Sequence, residues 1–138
     1  MDYRIEVENQ INEHDLEKLS SLINGYNKKQ AGIDPEFLFI SLKNGENDLV
    51  GGLKALGLCG SLYIQILCVD PTLRNQNFGT ELLERAERFA REHHYSWIHL
   101  DTFSFQALPF YQKNGYEVFG EFPLSDNIKR YFLKKMVV

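Results

Sequence analysis

Two cysteines in 138 residues, Cys59 and Cys68, are too few for a disulfide framework, and with the four histidines they form no zinc-ligand spacing. Cys68 lies within an apolar run and reads as a small buried core residue. No apolar run approaches the roughly 20 residues that a membrane span needs, and the opening Met1-Asp2-Tyr3-Arg4 holds no signal-like stretch. No long Lys/Arg run exists and the formal net charge is −4, which argues against nucleic acid as the main partner, since phosphate binding needs a cationic surplus. Internal repeats, low-complexity tracts and Pro/Ser-rich linkers are also missing. The expectation is one cytoplasmic domain over residues 1–138, with no membrane, nucleic acid or metal partner. Hydrophobic residues at 43% and charged residues at 25% suit a globular chain with a real core.

The patterning then orders the elements. Tyr3 to Glu8 alternates in polarity and predicts an opening strand. Asn12 can cap a helix whose stripe is Leu16, Leu19 and Ile23, and the polar, Gly-containing stretch 24–35 predicts a loop. Residues 37–43 and 48–58 read as strands about an Asn-Gly turn, and 61–69 as the most apolar strand, suited to a central position. Residues 79–93 form an amphipathic helix with Leu82, Leu83, Ala86, Phe89 and Ala90 on one stripe. A strand over 97–102, a short helix over 107–114 closed by Gly115, and strands over 117–122 and 130–136 complete the chain. The fold class is α/β (α+β), a sandwich with one mixed sheet.

Chemistry concentrates where the apolar strand ends. Val69-Asp70-Pro71 breaks the strand, and Arg74-Asn75-Gln76-Asn77-Phe78-Gly79-Thr80 opens into the amphipathic helix. A helix start offers unpartnered N–H groups and positive potential, which suits phosphate. Neither G-x-x-x-x-G-K-[ST] nor G-x-G-x-x-G is present, so the common nucleotide loops are not the source of this signal.

The loop resembles the pyrophosphate-binding [RQ]-x-x-G-x-[GA] segment of the GNAT superfamily of N-acetyltransferases, with Asn77 in place of the first glycine. Asn tolerates a left-handed backbone better than other non-glycine residues. Farther on, Phe110-Tyr111-Gln112-Lys113-Asn114-Gly115-Tyr116 is similar to the family's F-Y-x-x-x-G-[FY] segment. The resemblance covers about residues 37–136. It implies a GNAT fold of about seven strands and four helices, with strands 4 and 5 splayed, and acetyl-CoA as co-substrate. It also implies transfer of an acetyl group to a primary amine by direct attack in a ternary complex. A non-catalytic acyl-CoA sensor or interaction module is the alternative.

Carried over residue by residue, the resemblance implies that the backbone of Leu67 and Val69 bonds pantetheine like an added strand. An amide near Cys68 would face the developing oxyanion. Arg74 and the N–H groups of Asn75, Gln76, Asn77, Phe78, Gly79 and Thr80 would hold the pyrophosphate. Gln106, and with less weight Ser104, would contact the cofactor. Tyr111 would donate a proton to the departing thiolate or hydrogen-bond its sulfur. An alkylamine with a pKa near ~10.4 must lose a proton before attack. Asp101 and His99, which project to one side of their strand, are the candidate bases, and water is the alternative. The acceptor pocket is expected from residues 26–37, Tyr63, Gln65 and 120–129. Asp34, Glu36, Glu121 and Asp126 in these stretches suggest a small cationic amine. Exposed terminal strands are compatible with a homodimer.

Overall fold

The structure is a computed structural model that describes all residues 1–138, and the chain falls into two compact units, Met1–Asp34 and Pro35–Val138. The first holds helix α1, Glu13–Ala31. The Asn12 side chain accepts the Asp15 N–H at 3.0 Å, and Gly32 ends the helix in a left-handed conformation with its N–H on Lys28 O. The loop expected over 24–35 is therefore mostly helix. Gly25 costs only about 1 kcal/mol inside a helix, and no proline intervenes before Pro35. Within this unit no second element packs on the expected stripe of Leu16, Leu19 and Ile23. The opening strand over 3–8 is not formed either. Alternating polarity gives a strand two faces but no ladder, and no strand pairs with this segment.

The second unit is a six-stranded mixed sheet in the order β1-β2-β3-β4-β6-β5. Its strands are β1 Glu36–Lys43, β2 Leu49–Leu58, β3 Ser61–Val69, β4 Trp97–Phe103, β5 Glu117–Ser125 and β6 Ile128–Met136. Helices α2, Phe78–Glu92, and α3, Leu108–Lys113, bring the total to three helices. The GNAT class expected from the sequence holds, with six strands and three helices in place of about seven and four.

Leu83, Ala86 and Ala90 of α2 pack on Leu53, Ala55, Leu62, Ile64, Ile98, Leu100 and Leu133 of the sheet, all at most 3% exposed. Tyr111 of α3 and Tyr116 join this core. Tyr116 donates to Glu87 at 3.0 Å, and the same buried carboxylate receives Lys135 Nζ at 2.9 Å. A charge buried on α2 is thus paired and hydrogen-bonded, as burial requires.

One irregularity positions the site. Between Lys54 and Ala55 the β2–β3 register slips, because Gln65 has no partner: Ala55 faces Ile64, and Lys54 faces Ile66. An extra residue in one strand swaps the face of every side chain after it. Leu62 and Ile64 point into the core, whereas Ile66 and Cys68 turn to the opposite sheet face, and Leu67 takes the inner side. Cys68 is therefore exposed, not the core residue its apolar neighbours predict.

Candidate active site

β3 and β4 are parallel and pair only from Ser61–Trp97 to Ile64–Leu100. Beyond that point β4 continues to Phe103 beside β6, β3 continues to Val69 beside β2, and the two diverge. The split that the family resemblance places between adjacent central strands is present. The Asp70 N–H donates to Val50 O at 2.8 Å, toward β2. Backbone groups alternate sides along a strand, so those of Val69 and Leu67 point the other way, to the edge that β4 has left. These are the two backbone positions singled out from the sequence.

The split opens into a cleft of about 970 Å³, bounded by Leu67, Cys68, Val69, the segment around Arg74–Thr80, Asp101, Gln106 and Tyr111. That volume lies within the range of small-molecule and cofactor sites. Asp70 orders the loop at its mouth, accepting the Thr72 N–H at 2.9 Å and Thr72 Oγ1 at 2.7 Å. These bonds hold its carboxyl below the ordinary range. Asn75 and Asn77 take left-handed φ of 64° and 70°. Asn77 thus adopts the conformation for which glycine is usual, and it stands at the start of α2 without a side-chain cap. Glu81 makes the first intrahelical bond, to Asn77 O at 3.1 Å, which leaves the N–H groups of Phe78, Gly79 and Thr80 without helical partners. A Cβ on Gly79 would stand 3.3 Å from the Phe110 ring, so glycine allows α3 to approach the helix start.

These features fit coenzyme A: an unpaired strand edge for amides, free N–H donors with Arg74 beside them for a diphosphate, and a cleft joining the two. Gln106 fits less simply. Its Oε1 already accepts the Phe103 N–H at 2.8 Å and Thr102 Oγ1 at 3.3 Å, tying β4 to α3, and only its NH2 group is left for the cleft. Ser104 Oγ accepts the Lys129 N–H at 3.1 Å, which joins the end of β4 to the β5–β6 hairpin.

Tyr111 is 6% exposed, and its pKa is pushed up to about 12 by burial, then by the charges of Asp101 and Cys68; no hydrogen bond contributes to the rise. Tyr111, Asp101 and Cys68 all line the cleft. Both oxygens of Asp101 are engaged, Oδ1 by Tyr63 Oη at 3.0 Å and Oδ2 by Arg130 Nε at 2.9 Å. His99 stands one register pair below the split, opposite Tyr63, with its Nδ1 2.6 Å from Ser61 Oγ and its ring stacked on Tyr63 at 4.9 Å. Burial lowers its pKa, and Asp101 opposes the shift. His99 does not line the cleft; Asp101 and Tyr111 do.

Arg130 is the partner that the sequence concealed, since alternation puts it on a face but cannot disclose its register with β4. Of the acidic residues expected around an acceptor, Glu36 lies at the far end of the sheet, paired with Gly57 and bonded to Tyr95 and His93. Glu121 pairs loosely with Lys129 at 3.6 Å, and Asp34 with Lys28 at 3.5 Å. Asp126 occupies the β5–β6 turn. His93 is the C-cap residue of α2, and its ring stacks on Phe89.

Comparison with known proteins places this geometry. Residues 35–118, more than half of the chain, match the family model of the acetyltransferase (GNAT) domain. An acetyltransferase of Agrobacterium fabrum is 33% identical over 112 residues, covering 80% of this chain and 82% of its own. The blasticidin-S acetyltransferase of Streptomyces morookaense is 36% identical over 78 residues, 55% of this chain and 57% of its own. An acetyltransferase crystal structure from Bacillus cereus superposes with a TM-score of 0.77 at 28% identity, covering 96% of this chain and 97% of that one. The chain belongs to the GNAT acetyltransferase family. No helix in it is long and apolar enough to cross a membrane.

Proposed function

We propose that the chain, acting as one acetyltransferase domain over residues 1–138, moves the acetyl group of acetyl-CoA to the primary amine of a small cationic molecule. The observation that carries this reading is the strand split that ends beside an uncapped helix start, with Arg74 and two left-handed asparagines at its mouth. When bound, acetyl-CoA supplies an acetyl group already activated as a thioester. Leu67 and Val69 bond the pantetheine amides by their outward backbone groups, and the N–H groups around Asn75–Thr80 hold the pyrophosphate with Arg74. The blasticidin-S acetyltransferase among the relatives supports a small-molecule acceptor.

Tyr111 donates a hydrogen bond to the sulfur. Burial pushes the Tyr111 phenol up to about 12, so it keeps its proton through the neutral range and is available as a hydrogen-bond donor to the developing charge. Asp101 orders the wall of the cleft where the acceptor amine approaches. Its oxygens are already engaged by Tyr63 and Arg130, so the amine proton passes to water. His99, bonded to Ser61 and stacked on Tyr63, steadies the strand that carries Asp101.

The test is a calorimetric titration of the purified chain with acetyl-CoA, followed by an acceptor screen that detects released thiol. Binding, and turnover that requires an amine, are expected. Binding without turnover of any amine would favour an acyl-CoA sensor.

A further inference from the structure

A second depression adjoins the cofactor cleft on the sheet face opposite α2. It measures about 490 Å³, and Phe39, Leu49, Val50, Gly52, Ile66 and Cys68 form most of its wall. The register explains its shape. Phe39, Lys54 and Ile66 are aligned across β1, β2 and β3 and share one face. The next row is Ser41, Gly52 and Cys68, all small, so a low floor lies beside the taller row of Phe39, Lys54 and Ile66. The bulge at Gln65 creates this arrangement, because it brings Ile66 and Cys68 round to that face. Both residues also line the cofactor cleft, so the two cavities adjoin along this stretch of β3.

We infer that this depression is an acceptor subsite for the apolar body of a primary monoamine, of the arylethylamine or alkylamine class, with its amino group directed into the cleft that Asp101 and Tyr111 line. The inference rests on the acetyltransferase reading of the cofactor cleft. Two charged side chains border the depression, Lys54 and Asp70. The Asp70 carboxylate is already bonded twice by Thr72, and Lys54 repels a second cationic group. Exposed apolar walls at Phe39 (68%) and Ile66 (56%) gain from burial under a ring or alkyl chain, while a polycation would find no free carboxylate there.

The test uses the full chain with acetyl-CoA and measures thiol release from phenethylamine, hexylamine, ethylamine and spermidine. Phenethylamine or hexylamine should exceed ethylamine and spermidine in kcat/KM by at least about tenfold. Phe39→Ser should cut the phenethylamine-to-ethylamine ratio about tenfold, since it removes an exposed wall and no core contact. Independently of turnover, phenethylamine added to the protein should shift the methyl resonances of Leu49, Val50 and Ile66. A preference for spermidine, an unchanged ratio in Phe39→Ser, or unmoved methyls would each overturn the subsite. Loss of acetyl-CoA affinity would instead overturn the cofactor reading, and the methyl titration would still decide whether the apolar cavity binds the amine.

Discussion

Replacing Tyr111 by Phe separates hydrogen-bond stabilisation from proton transfer. The ring is retained, so its edge contacts with Phe110 and Tyr116, at centroid distances of 5.1 and 6.0 Å, should survive. The hydroxyl alone is lost. A hydrogen bond to a charged group contributes about 1.5–3 kcal/mol, which predicts a fall in kcat of roughly 10- to 150-fold. A positioned general acid that gives up its proton in the transition state is worth up to ~10⁴. The proposed hydrogen-bond role, in keeping with a phenol pushed up to about 12, predicts the smaller effect. Steady-state thiol release would measure kcat, calorimetry would show coenzyme A affinity unchanged, and thermal denaturation would show the fold intact. A loss beyond ~10³ with the fold preserved would refute the hydrogen-bond account and restore proton donation. A loss of less than about twofold would remove Tyr111 from the chemistry.

Four further outcomes follow from named residues. Gly79→Val should weaken coenzyme A binding by at least tenfold in calorimetry, since even a Cβ there stands 3.3 Å from Phe110 and the extra methyls must displace α3 or the loop. Asn77→Gly, by contrast, should raise stability to denaturant by a few tenths of a kcal/mol up to about 1 kcal/mol, by relieving a left-handed non-glycine residue. Glu87→Ala leaves the Tyr116 hydroxyl and the Lys135 ammonium without their shared carboxylate, so about 3 kcal/mol should be lost and Tm should fall by on the order of 10 °C. His99 has a folded-state pKa below its ordinary 6.5, so the unfolded chain binds its proton more readily. Its contribution to stability is complete above 6.5 and is lost as the pH falls through the folded value; His99→Asn should flatten that part of a denaturation-against-pH profile.

Most of the fold was legible because its signals are local. Turn chemistry around Asn44–Asp48 and Cys59–Gly60, and the 3.6-residue stripe of α2, place those boundaries within a residue or two. The conformation of the loop at the cleft mouth was legible for the same reason, since Arg74, Asn77 and Gly79 lie in one short segment. What escaped depends on partners. Polarity alternation over 3–8 cannot supply a strand to pair with, and the apolar stripe of α1 shows which face could be buried but not that something covers it. The Gln65 bulge is a property of the β2–β3 register, so the turning of Cys68 out of the core had no local signal. Arg130 and Asp101 are 29 residues apart and meet only through the β4–β6 pairing. That meeting weakens the case for Asp101 as a base, although its position in the motif favoured it.

Backbone hydrogen exchange with and without acetyl-CoA tests most directly whether the abandoned edge of β3 and the start of α2 form one cofactor site. The amides of Leu67 and Val69 and those of residues 75–80 should slow together on saturation, while the paired amides of β1 should change little. Tight binding that leaves these amides exchanging as in the free protein would contradict the account.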